Sequence, residues 1–207
     1  MYDLDKLAKL RFGMTEVPKI GGQPGIYEEK WSQWFLERSF FRDFVYRNPA
    51  GRKKGQELAD AVVLFDDVML MVQVKAQCGK HDPISWAKEK LVEAFKQLCK
   101  THKSLVGGEI KKLKSDFYGE IAFDSKSYPN RIGLLILAHD SPRYVAAKLA
   151  PEILTADFPI HVFSLKDFAQ IAAPARQGGV SRQQIFRELA ETVAQLGREF
   201  ADLRFPS

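Results

Sequence analysis

Apolar residues recur near helical spacing from Tyr27 to about Arg42. Trp31, Trp34, Phe35 and Phe41 lie toward one face, while Glu29, Gln33 and Glu37 fall on another at i, i+4 and i+8. A helix is expected there. Phe44-Val45-Tyr46 reads as a short strand stopped by Asn48-Pro49. The strongest local pattern follows: ELADAVVLF and VMLMVQVKA are β-branched and apolar on nearly every position, with Asp66-Asp67 between them. This predicts a β-hairpin closed by a two-residue turn and covered on both faces, hence central in its sheet.

Asp82-Pro83 marks a helix start, and a helix is predicted over about 84–104. Its apolar stripe is Ile84, Ala87, Leu91, Ala94/Phe95 and Leu98. Residues 105–117 read as a basic connector and 118–123 as a candidate strand. RIGLLILAHD (131–140) is a buried strand by its apolar run, 142–150 a short helix, and PIHVFSL (159–165) a further strand. A last helix is predicted over 181–203. Ser181 with Gln184 forms a capping box, and Ile185, Leu189, Val193, Leu196, Phe200 and Leu203 form its stripe. The 4-4-3-4-3 spacing is near coiled-coil periodicity, so this helix is a candidate surface for a homodimer or partner protein, besides simple packing on the core. Helices alternating with strands predict an α/β fold with a central mixed sheet flanked by helices. No repeat or linker divides the 207 residues, which are expected to form one domain.

Composition narrows the classes. With 45% apolar and 12% aromatic residues the chain is not low-complexity disorder. No run approaches the ~18 apolar residues of a membrane span, and the start carries acids rather than a signal sequence. Two cysteines make no disulfide framework, and a cytoplasmic location is expected. The net charge of +5 is concentrated: residues 80–114 hold nine lysines against four acids, and 47–54 add Arg47, Arg52, Lys53 and Lys54 with no acid. Two basic clusters on a mildly acidic body point to a polyanion.

The hairpin also carries the candidate chemistry. With the turn at 66–67, Asp60 on the first arm pairs near Gln73 on the second. Gln73 and Lys75, two apart, share a face. Burying a carboxylate and an ammonium inside an apolar hairpin costs several kcal/mol unless they pair or bind a ligand. An Asp, an amide oxygen and a Lys together suit a divalent metal beside a cation. Mg²⁺ takes oxygen ligands, and the lysine would orient or deprotonate a water, or offset charge on a phosphate. A buried Asp–Lys pair is the purely structural alternative.

The pattern E-x-x-D60-(x12)-Q73-x-K75, after a helix containing Glu29 and before a basic helix, resembles the PD-(D/E)XK nuclease superfamily, and most the Q-x-K variant of Mrr-type restriction endonucleases. The resemblance covers about 25–140. It implies a restriction-endonuclease-like αβββαβ core, with strand and helix additions over about 141–207. It implies a Mg²⁺- or Mn²⁺-dependent nuclease acting on nucleic acid, with DNA ahead of RNA and the choice between them open, of the kind that serves bacterial restriction or defence. On this resemblance Asp60, Gln73 and Glu29 would hold metal, with the Val74 carbonyl as a further ligand, and Lys75 would be the catalytic lysine. Glu28 and Glu37 are weaker alternatives to Glu29. Glu57 lies on the opposite parity from Asp60 and is a supporting candidate, as is Gln97 on the following helix. Lys88, Lys96 and Lys100, with Arg52, Lys53 and Lys54, would meet the phosphate backbone. Two departures stand out: Ala59 replaces the usual proline, and Gln73 replaces an acid. The second weakens metal binding and keeps open a catalytically weak or inactive, nucleic-acid-binding or partner-binding descendant.

Cys78-x-x-His81 and Cys99-x-x-His102 offer a rival Zn²⁺ set. Cys99 lies about 24 Å along a helix starting near Pro83, so one straight helix does not bring both pairs to one ion. His139-Asp140-Ser141, being consecutive, cannot form a triad. His161 alternates with apolar neighbours and reads as structural.

Overall fold

The structure is a computed structural model that describes residues 25–40, 44–47, 58–76, 83–115, 119–138 and 156–172, with Gln23, Gln184 and Glu188. Strand β1 (Val45–Arg47) pairs antiparallel with β2 (Ala61–Phe65), which turns through Asp66-Asp67 into β3 (Val68–Ala76). Asp66 takes φ 47°, the left-handed conformation that a two-residue hairpin needs and Asp tolerates. Ala61 lies opposite Val72 and Phe65 opposite Val68, the register that this turn predicts.

Helix α1 (Ile26–Phe40) precedes the hairpin and helix α2 (Pro83–Val106) follows it. After α2 come β4 (Lys112–Ser115), β5 (Gly119–Ala122), one 3₁₀ turn (Ser125–Ser127) and β6 (Asn130–Ala138). Strand β6 lies parallel to β3 along its whole length, and β7 (Ile160–Ser164) lies parallel to β6. Helix α3 (Leu165–Ala172) is the last element with a described range. The result is a mixed α/β fold with a five-stranded mixed sheet, β1-β2-β3-β6-β7, flanked by helices. Its helix, three antiparallel strands, helix and parallel strand follow the αβββαβ order that the sequence resemblance implies.

The hairpin is apolar at nearly every position because its two parities enter two cores. Ala61, Val63, Phe65, Val68, Leu70, Val72 and Val74 pack with Trp31, Phe35 and Phe40 of α1 and Phe168 of α3. Val62, Leu64, Met69 and Met71 pack with Ala87, Leu91, Ala94, Leu98 and Leu105 of α2. Fully burying each large apolar side chain contributes about 1.5–3 kcal/mol. Gly133 in β6 makes room for α2: a Cβ there would stand 2.4 Å from Leu98 Cδ2.

Several expectations change. The candidate strand at 118–123 forms as β5 but pairs with β4 rather than with the central sheet. The supposed connector supplies β4, where Leu113 is buried between the exposed Lys112 and Lys114. Strand β7 stops at Ser164, whose hydroxyl accepts the Asp167 amide at 3.0 Å and caps α3, a short helix that takes Leu165 from the predicted strand and buries it with Phe168 and Ala169. The predicted helix over 142–150 lies outside the described residues. So does that over 181–203, apart from Gln184 and Glu188, which are helical and joined by a 2.9 Å side-chain hydrogen bond. Among the described residues no helix is long and apolar enough to cross a membrane.

Candidate active site

Asp60 stands one residue before β2, on the parity that faces α2. Its amide donates to the Val72 carbonyl at 3.1 Å, and its carboxylate Oδ2 accepts the Val74 amide at 2.6 Å. The carboxylate therefore substitutes for the ladder beyond the start of β2. Backbone direction alternates along a strand, so the Val74 carbonyl leaves β3 on the same edge as that of Val72, past the end of the ladder.

Gln73 and Lys75 share the α2 face with Asp60. Gln73 is only 4% exposed, and its Nε2 donates to the Leu58 carbonyl at 3.3 Å. That carbonyl also meets the hydroxyl of Thr101, which is within 3.0 Å of the Gln97 carbonyl as well. With the amide nitrogen committed, Oε1 is the atom Gln73 has for a ligand. Lys75 Nζ lies 3.2 Å from Glu93 Oε1 on α2, and Glu93 Oε2 lies 2.7 Å from Lys90 Nζ. The Lys90 hydrogen bond foremost, then that of Lys75, holds the Glu93 carboxyl below the usual carboxylate range.

Glu29 arrives from the other side of the sheet. Helix α1 packs on the opposite face, but β2 begins only at Ala61, and beyond it Glu29 lines the same cleft as Asp60. The two carboxylates line a common cleft of about 280 Å³ with Gln73, Lys75, Gln97, Lys100, Thr101, Leu58 and Ala59. They also line an adjoining, more apolar space of about 240 Å³ with Ser32, Leu36, Val72 and Val74. Glu28 is used elsewhere, accepting the Gly25 amide at 2.7 Å at the start of α1, and Glu37 accepts from Gln33 at 3.2 Å.

The fold thus gathers Glu29, Asp60, Gln73, Lys75, Gln97 and Lys100 in one cleft. Lys96 lies one turn from Lys100 on exposed helix surface. Neither makes an ion pair among the described residues. Lys88 is not brought to the cleft: twelve residues separate it from Lys100, about 18 Å along α2 and about 120° around it. Arg52, Lys53, Lys54 and Glu57 lie outside the described residues. Sequence reasoning missed Glu93 and Thr101. The available signal was helical spacing from Gln97, since Glu93 is its i−4 neighbour and Thr101 its i+4 neighbour.

The donors suit a hard cation: two carboxylates, one amide oxygen and one backbone carbonyl, all oxygen. Among the described residues no three His, Cys, Asp or Glu side chains cluster as a metal site, so a metal in this cleft would need the neutral donors as well. The zinc alternative gains nothing. Cys99 is half-buried, with burial raising its thiol pKa, and His102 stacks on Phe158 with ring centroids 4.2 Å apart. Cys78 and His81, like His139-Asp140-Ser141, lie outside the described residues. His161 is a core histidine, 7% exposed beside Phe163, and burial lowers its pKa to about 4.

No family model and no curated protein matches the chain. Among solved structures it is similar to the restriction endonuclease FokI, with a TM-score of 0.47 and 15% identity over 91% of this chain. The match spans 33% of the FokI chain, about a third of its length.

Proposed function

We propose that this chain is a metal-dependent nuclease that hydrolyses phosphodiester bonds in nucleic acid. The observation that carries the reading is the convergence of Asp60, Glu29, Gln73 and Lys75 on one cleft, bordered by Lys100, which makes no ion pair among the described residues. Asp60, Glu29, Gln73 Oε1 and the Val74 carbonyl would hold Mg²⁺ or Mn²⁺, which when bound polarises the phosphate and lowers the pKa of a water. The Val74 amide fixes the Asp60 carboxylate without exhausting its acceptor capacity. Lys75, steadied by Glu93, presents a cation where negative charge develops on the phosphate. Lys100 and Lys96 hold flanking phosphates, which adds affinity without sequence choice. The test is purified protein with Mg²⁺ or Mn²⁺ on plasmid, single-stranded DNA and RNA. Undiminished cleavage by Asp60→Ala and Lys75→Ala overturns the assignment.

One observation favours a second reading, a weak or inactive nucleic-acid- or partner-binding module. Gln73 stands where an acid is usual, and its amide nitrogen serves the Leu58 carbonyl. A glutamate there would set carboxylate against carbonyl, so Gln73→Glu does not simply restore an active site. Tight DNA binding with no cleavage under either metal selects this reading.

A further inference from the structure

Two side chains of opposite charge face one pocket without touching. The pocket, about 180 Å³, opens at the starts of β6 and β7 and is lined by Arg131, Asp157, His102, Phe158 and Asn130 between two prolines. Neither the Arg131 nor the Asp157 side chain makes a hydrogen bond or ion pair among the described residues, so their charged atoms lie more than 4.0 Å apart. Two nitrogens of the wall are enclosed and have no hydrogen-bond partner among the described residues: Arg131 Nε and His102 Nε2. His102 is 8% exposed and its ring is held against Phe158. Burial, and then the charge of Arg131, lower the His102 pKa, so the ring is neutral and offers one donor and one acceptor. The Asn130 amide is spent on Asp67 Oδ2 at 2.7 Å.

A small anion satisfies Arg131 but meets Asp157. A cation does the reverse. The pocket calls for a neutral, planar group with acceptors on one edge and donors on the next, and its volume is several times the ~30 Å³ share of one water. Guanine has that pattern: O6 and N7 accept two hydrogen bonds from a guanidinium, and N1–H and N2–H donate two to a carboxylate. Adenine offers one of each. We propose that this pocket binds an unstacked guanine base, with Arg131 on its O6/N7 edge and Asp157 on N1–H and N2–H. The pocket is separate from the candidate active site. Thr101 and His102 are consecutive on α2, and one lines each cavity.

The test is titration of the full chain with guanosine monophosphate, adenosine monophosphate and inorganic phosphate, followed by the His102 ring resonances. A strand arm uses short single-stranded oligonucleotides with one G or one A. The expected result is saturable shifts with guanine favoured at least about tenfold over adenine, and no shift with phosphate. Asp157→Asn, at an exposed position, lowers guanine affinity about tenfold and leaves adenine nearly unchanged. Arg131→Gln, with its fold checked by circular dichroism, weakens both. A preference with the mononucleotide alone assigns a free nucleotide, and one that persists in the oligonucleotide assigns a base in a strand; either supports the pocket. Equal binding of the two purines, the same shifts with phosphate, or no saturable shift at millimolar ligand overturns it. These readouts do not depend on cleavage, so the outcome is separable from that of the nuclease assay.

Discussion

Lys75 Nζ sits 3.2 Å from Glu93 Oε1, and that carboxylate is gripped from the other side by Lys90 at 2.7 Å. Strand β3 and helix α2 thereby fix the cation of the candidate site through a residue that does not itself line the cleft. Glu93→Gln is expected to lower DNA cleavage about 10- to 100-fold, since small misplacements of a reacting group cost up to about 10²-fold. Glu93→Asp recovers part of it. Its carboxylate is 40% exposed, so the melting temperature changes little. Cleavage rates and thermal melts of the three proteins check this.

Asp60 has two tasks that Asp60→Asn separates. The asparagine oxygen still accepts the Val74 amide, so the fold persists while the negative charge goes. Mn²⁺ or Mg²⁺ is expected to raise the melting temperature of the unaltered chain and to leave Asp60→Asn unmoved. Equal metal-induced shifts in both would remove Asp60 from the metal site.

The lysines divide by position. Lys100→Ala and Lys96→Ala are each expected to reduce the salt dependence of DNA binding by about one unit of log–log slope. Lys88→Ala, about 120° round the helix, leaves the slope unchanged. Binding isotherms across a salt series decide this.

His161 predicts an acid-sensitive core. Its pKa is about 4 in the fold against 6.5 when unfolded, so between those values the unfolded chain binds more protons. Its stabilising contribution is complete above pH 6.5 and falls as the pH drops toward 4, by up to about 3 kcal/mol. His161→Leu flattens that part of the stability–pH curve, measured by urea unfolding from pH 7.5 to 4.

Gly133→Ala tests the seat of α2. The new methyl would meet Leu98 Cδ2 at 2.4 Å, Phe158 Cε2 at 3.0 Å and Ile160 Cγ1 at 3.1 Å. A loss of about 1–3 kcal/mol is expected from overpacking, seen as a lower melting temperature.

Much of this was legible in the chain. The apolar runs around Asp66-Asp67 determined the hairpin, its register and its burial on both faces, because a two-residue turn fixes which residues oppose and strand parity fixes which face each takes. The same parity put Asp60, Gln73 and Lys75 together, and helical spacing defined α1 and the buried stripe of α2. Short polar segments were harder. Strand β4 holds one buried leucine between lysines, and α3 depends on a serine cap rather than on a long stripe.

Tertiary structure decided what spacing cannot express. Glu29 lies on a helix against the opposite face of the sheet and comes to the same cleft as Asp60 at the end where β2 starts, at Ala61. Which glutamate of a lysine-rich helix would hold Lys75, and which lysines would border the cleft, depended on how α2 is rotated on the sheet. That rotation is set by the packing of Ala87, Leu91, Ala94 and Leu98, with Gly133 admitting the helix. Local pattern determines each element and its inward face; the meeting of side chains from different elements is fixed only when those faces pack.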